Sequence, residues 1–130
     1  MTHTAVLTLG SNVERAAHII DAARAAIDRV AEVRAYSGAY LSPDDTGAGA
    51  DYLNAVLELT TTLSLSEMAD FAAGLERRSG RTADSKSRGV MPLDVDIVVW
   101  DAEVIKPYDT TRPYFRTGYQ KIHHESYLIP

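Results

Sequence analysis

The chain has 130 residues, 45% of them hydrophobic and 24% charged, which is the make-up of one ordinary globular domain rather than two. It has no cysteine, which excludes disulfides and thiolate metal centres, and a net charge of −5, which argues against sequence-independent nucleic-acid binding. Met1-Thr2-His3 leads straight into a short apolar run, with no basic leader and no apolar stretch of membrane-spanning length, so a soluble, cytoplasmic single domain over residues 1–130 is expected.

Thr4 to Leu9 is uniformly apolar enough for an interior strand, and Gly10 is expected to end it. Ser11-Asn12-Val13-Glu14 has the spacing of a capping box. Val13, Ala16, Ile20, Ala23, Ile27 and Val30 then give a helical stripe reaching about Val30. Val33 to Tyr40 reads as a second strand and Leu41 to Asp51 as a long loop rich in turn formers. Tyr52 to Thr61 alternates as a third strand, with Leu53, Ala55, Leu57 and Leu59 on one face and Tyr52, Asn54, Val56 and Glu58 on the other. Ser64-Leu65-Ser66-Glu67 is a second capping box, opening a helix with an apolar stripe of Met68, Phe71, Ala72 and Leu75 and a C′ glycine at Gly80.

Arg81 to Met91 holds almost no large apolar side chain and is expected to be a loop. It belongs to a basic cluster of Arg77, Arg78, Arg81, Lys86 and Arg88, the local charge a phosphate ligand needs in an acidic chain. Leu93-Asp94-Val95-Asp96-Ile97-Val98-Val99-Trp100 follows as a strand, its face of Asp94 and Asp96 continuing into Val98 and Trp100. Two carboxylates one strand repeat apart can hold a divalent cation, because Mg²⁺ takes one or two carboxylates and fills its other positions with water and phosphate. An edge strand with its acids in water has the same alternation. After a turn at Asp101-Ala102-Glu103 and a short β segment at Val104-Ile105, the chain from Lys106 reads as mostly irregular, with a last strand expected at Tyr127-Leu128-Ile129. His123-His124-Glu125 offers no third spaced ligand, and adjacent histidines diverge, so it is not read as a metal site.

The order βαββαβ is the split-βαβ, ferredoxin-like arrangement of the α+β class: an antiparallel sheet with helices on one face. Tyr52, Asn54, Asp94 and Asp96 then share the other face, and an aromatic, an amide and two carboxylates there make a ligand site.

In Leu9-Gly10-Ser11-Asn12, Asp51-Tyr52-Leu53-Asn54-Ala55, Leu75-Glu76 with Gly80-Arg81, and Gly89 through Leu93-Asp94-Val95-Asp96-Ile97, the chain resembles the 6-hydroxymethyl-7,8-dihydropterin pyrophosphokinases from Thr4 to about Pro113. The resemblance implies transfer of pyrophosphate from ATP to the pterin hydroxymethyl, with AMP released, in folate biosynthesis. It implies two Mg²⁺ ions on Asp94 and Asp96, which together with Arg81 form the catalytic set. Tyr52 and Asn54 match pterin contacts, Ser42 and Pro43 match the loop closing that pocket, and Glu76 and Arg81 match residues near the nucleotide. Arg88, Arg112 and Tyr114 are further expected ATP contacts. The chain departs from the family pattern where arginines, a tryptophan, a histidine and an aromatic are usual: Met91, Ala83, Arg88, Tyr114, Gln120 and Ile122 stand there, and the chain ends at Pro130, short of the family's last elements. Two other readings therefore stay open, a non-catalytic pterin- or nucleotide-binding module and a same-fold enzyme acting on another heterocycle.

Overall fold

The uniformly apolar run at Thr4 to Leu9 and the two longest alternating stretches become the longest strands. In a computed structural model, which describes residues 1–44, 46–47 and 49–123, β1 (His3–Ser11) lies antiparallel between β4 (Tyr52–Thr61) and β5 (Asp94–Trp100). The remaining elements are α1 (Ala16–Ile27), β2 (Glu32–Tyr36), β3 (Tyr40–Ser42), α2 (Leu65–Arg78), β6 (Glu103–Val104), a 3₁₀ turn at Asp109–Thr111 and α3 (Pro113–Ile122). The sheet runs β2-β4-β1-β5-β6, with β3 also on β4. β2 and β3 lie end to end along β4, one opposite Leu57 to Thr60 and the other opposite Tyr52 to Asn54. Every pairing is antiparallel, as a ferredoxin-like α+β fold requires.

Leu7, Leu9, Ala55, Leu57, Leu59, Leu93, Val95 and Ile97 bury one sheet face beneath Ile20, Ala23 and Ile27 of α1 and Met68, Ala72 and Leu75 of α2. The Ser64 box forms as read: Ser64 Oγ accepts from Glu67 N, and Glu67 Oε1 accepts from Ser64 N. Gly80 follows the helix with φ of 102°, a conformation that costs a residue with a Cβ.

Four local expectations are overturned. Gly10 does not end β1, which continues through Ser11 because Ser11 pairs with Leu53. The first capping box is therefore absent: Ser11 is buried in the sheet, and Arg15, without a side-chain cap bond, precedes α1. The second strand is two strands, since Gly38 turns the chain at φ of 74°. The region after Lys106 holds a helix, with Pro113 in its first turn. A proline there forfeits no hydrogen bond, so it starts the helix rather than breaking it.

That third helix covers half of the second sheet face. Phe115 packs with Val6, Tyr40, Val56 and Val98, while Tyr52 and Asn54 at the start of β4 and Asp94 and Asp96 at the start of β5 line a cavity. A bulge in β5 decides which side chains lie there. Val6 pairs with Val99 but Leu7 pairs with Ile97, so Val98 is the extra residue. Trp100 is thereby turned to the helix-covered core, and Val99 packs on the Phe115 side, the reverse of the simple alternation. The expected strand at Tyr127-Leu128-Ile129 and the pair His124-Glu125 lie outside the described residues. None of the described helices is long and apolar enough to cross a membrane.

Candidate active site

Three strands place the floor of the site by register. Gly10 is paired with Asn54 on one side and Asp94 on the other, and Thr8 is paired with Val56 and Asp96. Residues directly opposite one another in a sheet point the same way, so Asn54, Asp94 and Asp96 rise from one face across β1. Gly10 keeps the floor low. A Cβ there would stand 3.3 Å from Asn54 Oδ1 and 3.5 Å from Tyr52 Cδ2.

A cavity of about 840 Å³ opens above this floor. Of the expected residues, Ser42, Pro43, Tyr52, Asn54, Arg81, Asp94, Asp96 and Tyr114 all line it. Asn54 is buried and donates through Nδ2 to Ser42 Oγ at 2.5 Å, which ties β4 to the start of the 43–51 loop. Asp44 organises that loop by accepting from Thr46 N and Gly49 N, each at 3.2 Å. Burial, and the nearby Asp94 and Asp44 carboxylates, hold the Tyr52 phenol above its usual pKa, so it meets ligands as a neutral donor. Tyr114 is aimed by Asp109, whose Oδ1 accepts its hydroxyl at 2.6 Å.

The other three expected residues stand outside the cavity walls. Glu76 is behind the wall: its Oε2 accepts from Val95 N and from Arg81 Nη1, both at 2.8 Å, so it fixes β5 and Arg81 rather than facing the cleft. Arg88 points to solvent near Asp84, at 3.9 Å. Arg112 stacks over the Tyr108 ring, 5.3 Å from its centre, at the start of α3. The 81–91 loop, nearly devoid of apolar anchors, is built instead from its own polar bonds, Thr82 N to Ser85 Oγ and Val90 N to Ser85 O, with Ser85 buried. Asn12 fastens its end, donating to Gly89 O at 2.9 Å and accepting from Met91 N at 2.7 Å.

The electrostatic centre is the acid pair. Asp94 takes Arg81 at 3.1 Å and Asp96 takes Lys106 at 2.5 Å. Burial first, then the like charge of Asp96 and a hydrogen bond between the two carboxyls, push Asp94 up to about 7 against the pull of Arg81. Lys106 feels the opposite balance: burial disfavours its charge, but Asp96, Asp109 and Asp94 outweigh this and raise its pKa. Sequence reasoning missed Lys106. The two-residue turn at Asp101 and Ala102, both at positive φ, folds β6 back along β5, and that tight turn was the available signal. Among the described residues no third His, Cys, Asp or Glu joins the pair. Two hard oxygen donors on one face, beside phosphate-sized space and cations, fit a divalent ion of the Mg²⁺ kind, which draws its remaining ligands from water and phosphate.

The fold and cleft together define a ferredoxin-like α+β protein with a cavity that sets an acid pair beside two cations. Residues 6–124 match the family model described as 7,8-dihydro-6-hydroxymethylpterin-pyrophosphokinase (HPPK). The 2-amino-4-hydroxy-6-hydroxymethyldihydropteridine pyrophosphokinase of Haemophilus influenzae is 30% identical over 118 residues, covering 86% of this chain and 71% of its own. Two crystal structures of wild-type Plasmodium falciparum HPPK-DHPS share the fold. The one with pterin and p-hydroxybenzoate has a TM-score of 0.51 at 13% identity over 78% of this chain. The one with pteroate has a TM-score of 0.52 at 9% identity over 94% of it. This chain spans only 28% and 35% of those longer chains. The chain belongs to the 7,8-dihydro-6-hydroxymethylpterin-pyrophosphokinase family.

Proposed function

We propose that this protein, acting as one domain, transfers the pyrophosphoryl group of ATP to 6-hydroxymethyl-7,8-dihydropterin and releases AMP, a cytoplasmic step of folate biosynthesis. What carries the reading is one juxtaposition: the acid pair of β5 and the Tyr52–Asn54 pair of β4 open into the same cavity, separated by the width of β1. The pterin lies over Tyr52 and Asn54, the aromatic ring offering a stacking face and the amide both a donor and an acceptor for the heterocycle's mixed edge. Ser42 and Pro43 close that end, and Ser42 fixes the orientation of the amide. The triphosphate lies toward Arg81 and Tyr114, with its hydroxymethyl acceptor arriving from the β4 side. Asp94 and Asp96 would hold two Mg²⁺ ions, which would supply charge neutralisation to the phosphate chain. Arg81 is held ready by Glu76, so its guanidinium meets phosphate without first being ordered. The hydroxymethyl oxygen then attacks the β-phosphorus in line with the departing AMP oxygen.

Incubation with ATP, Mg²⁺ and 6-hydroxymethyl-7,8-dihydropterin is expected to yield AMP and the pterin diphosphate in equal amounts. Asp96→Ala is expected to abolish both while leaving the circular dichroism spectrum unchanged. A second reading rests on Met91, a buried thioether on the cavity wall where the family resemblance leads one to expect an arginine. It predicts that ATP and pterin bind without any AMP appearing.

A further inference from the structure

The two cations on the acid pair are held very differently. Arg81 Nη1 contacts Glu76 at 2.8 Å, Asp94 at 3.1 Å and the Leu93 carbonyl at 3.3 Å, so it is fixed from behind even if Asp94 is taken by something else. Apart from Asp96, the contacts of Lys106 among the described residues are made through backbone: Ile105 N and Lys106 N both donate to Val98 O, at 2.8 and 3.3 Å. Its ammonium meets Asp96 Oδ1 at 2.5 Å in the cavity lining, with the side chain 44% exposed. Asp96, by contrast, is only 19% exposed with Lys106 in contact with its carboxylate. A lysine presents a compact ammonium on a flexible stem, unlike the planar fork of Arg81. A doubly charged ion at Asp96 repels that ammonium, and phosphate oxygens in the same cavity offer it a new partner.

We propose that Lys106 is the displaceable cation of this site, neutralising Asp96 until a divalent ion takes that carboxylate and then turning onto the phosphate chain of the nucleotide. The inference rests on the pyrophosphokinase reading for the identity of that ligand. It assigns a positive charge near the phosphates to a residue that none of the expected site positions includes.

Lys106→Met retains the stem and removes the charge. Mn²⁺ alone, titrated by electron paramagnetic resonance without nucleotide, is expected to bind Lys106→Met roughly three- to tenfold more tightly than wild type, because the competing cation is gone. Mg²⁺ with α,β-methylene-ATP, which cannot be cleaved at the reacting bond, is expected to bind about tenfold more weakly. Lys106→Gln, which also removes the charge but keeps a polar end, is expected to shift both values in the same directions, and it serves if the methionine variant fails to fold: either affinity unchanged in it overturns the proposal. Mn²⁺ affinity unchanged or weakened in Lys106→Met overturns the proposal, as does an unchanged affinity for the analogue. Wild-type protein that binds no Mn²⁺ overturns it together with the function proposed above. Opposed shifts without any AMP formation keep the lysine's role and remove only the transfer, whereas AMP formation without the shifts removes the lysine's role alone.

Discussion

Asp94 is the residue at which acid–base chemistry and stability meet. Its carboxyl titrates near 3.8 in an unfolded chain and near 7 in the fold, so between those values the folded protein holds a proton that the unfolded chain has lost. Stability contributed by a raised carboxyl is complete below the lower value and falls as pH rises through the upper one. Without divalent ions, wild type is therefore expected to lose stability from about pH 4 to 7, and Asp94→Asn is expected to be spared. With its side chain 40% exposed, solvent screening holds the gap to about 1 kcal/mol in favour of the asparagine at pH 8. Thermal melts in chelator across that range check this, and parallel curves for the two proteins would exclude the assignment. Asn54 gives a second test at this scale. With the pterin placed as proposed, removing the amide would leave ring polar groups unpaired, so Asn54→Ala is expected to weaken pterin binding by about 1–3 kcal/mol, measurable by calorimetry.

At the scale of elements, the decisive piece is α3, because it closes half of a face that the first five strands and two helices leave open. Gly118 lets it dock. A Cβ at that position would stand 2.5 Å from both Tyr40 Oη and Val56 Cγ2, and Tyr40 in turn donates its hydroxyl to the Tyr114 carbonyl. Burial raises the Tyr40 phenol to about 12, so it remains a donor throughout the useful pH range. Gly118→Ala is expected to cost about 1–3 kcal/mol in urea denaturation, since neither the strand nor the ring can yield cheaply. It should also weaken nucleotide binding, because α3 carries Tyr114 into the cavity. A variant as stable as wild type would mean that the helix docks less closely. This element was hidden from sequence reasoning for a definite reason. Pro113 and Pro107 look like breakers, and the apolar positions Tyr114, Phe115, Tyr119 and Ile122 make too short a stripe to outweigh them.

For the whole molecule, the cavity joins residues from β1, β3, β4, β5, α3 and the loops at one end of the sheet, a surface that exists only when the sheet is formed. Binding should then stabilise the fold as a unit. At a hundredfold excess over the dissociation constant, Mg²⁺ with the non-cleavable ATP analogue is expected to contribute about 2.7 kcal/mol, raising the melting temperature by several degrees. The same addition to Asp96→Ala should raise it little, and an equal rise in both proteins would place the nucleotide elsewhere.

How much of this was legible depends on the range of the forces involved. Strand alternation and the helical stripes are written in spacings of two to four residues. The sheet, two of its helices, and the common face of Tyr52, Asn54, Asp94 and Asp96 could therefore be read from the chain alone. Tertiary contacts decided the rest. Ser11 could have capped a helix, but pairing with Leu53 kept it in the strand. Trp100 should have shared the acid face, but a bulge at Val98, forced by register with β1, turned it into the core. Glu76 became a brace, and Lys106 a partner of Asp96, because the ends of β5 and the turn after it approach groups distant along the chain. Local spacing dictates which way a side chain leaves its own strand, whereas what it meets is set by neighbours whose approach no short stretch of sequence encodes.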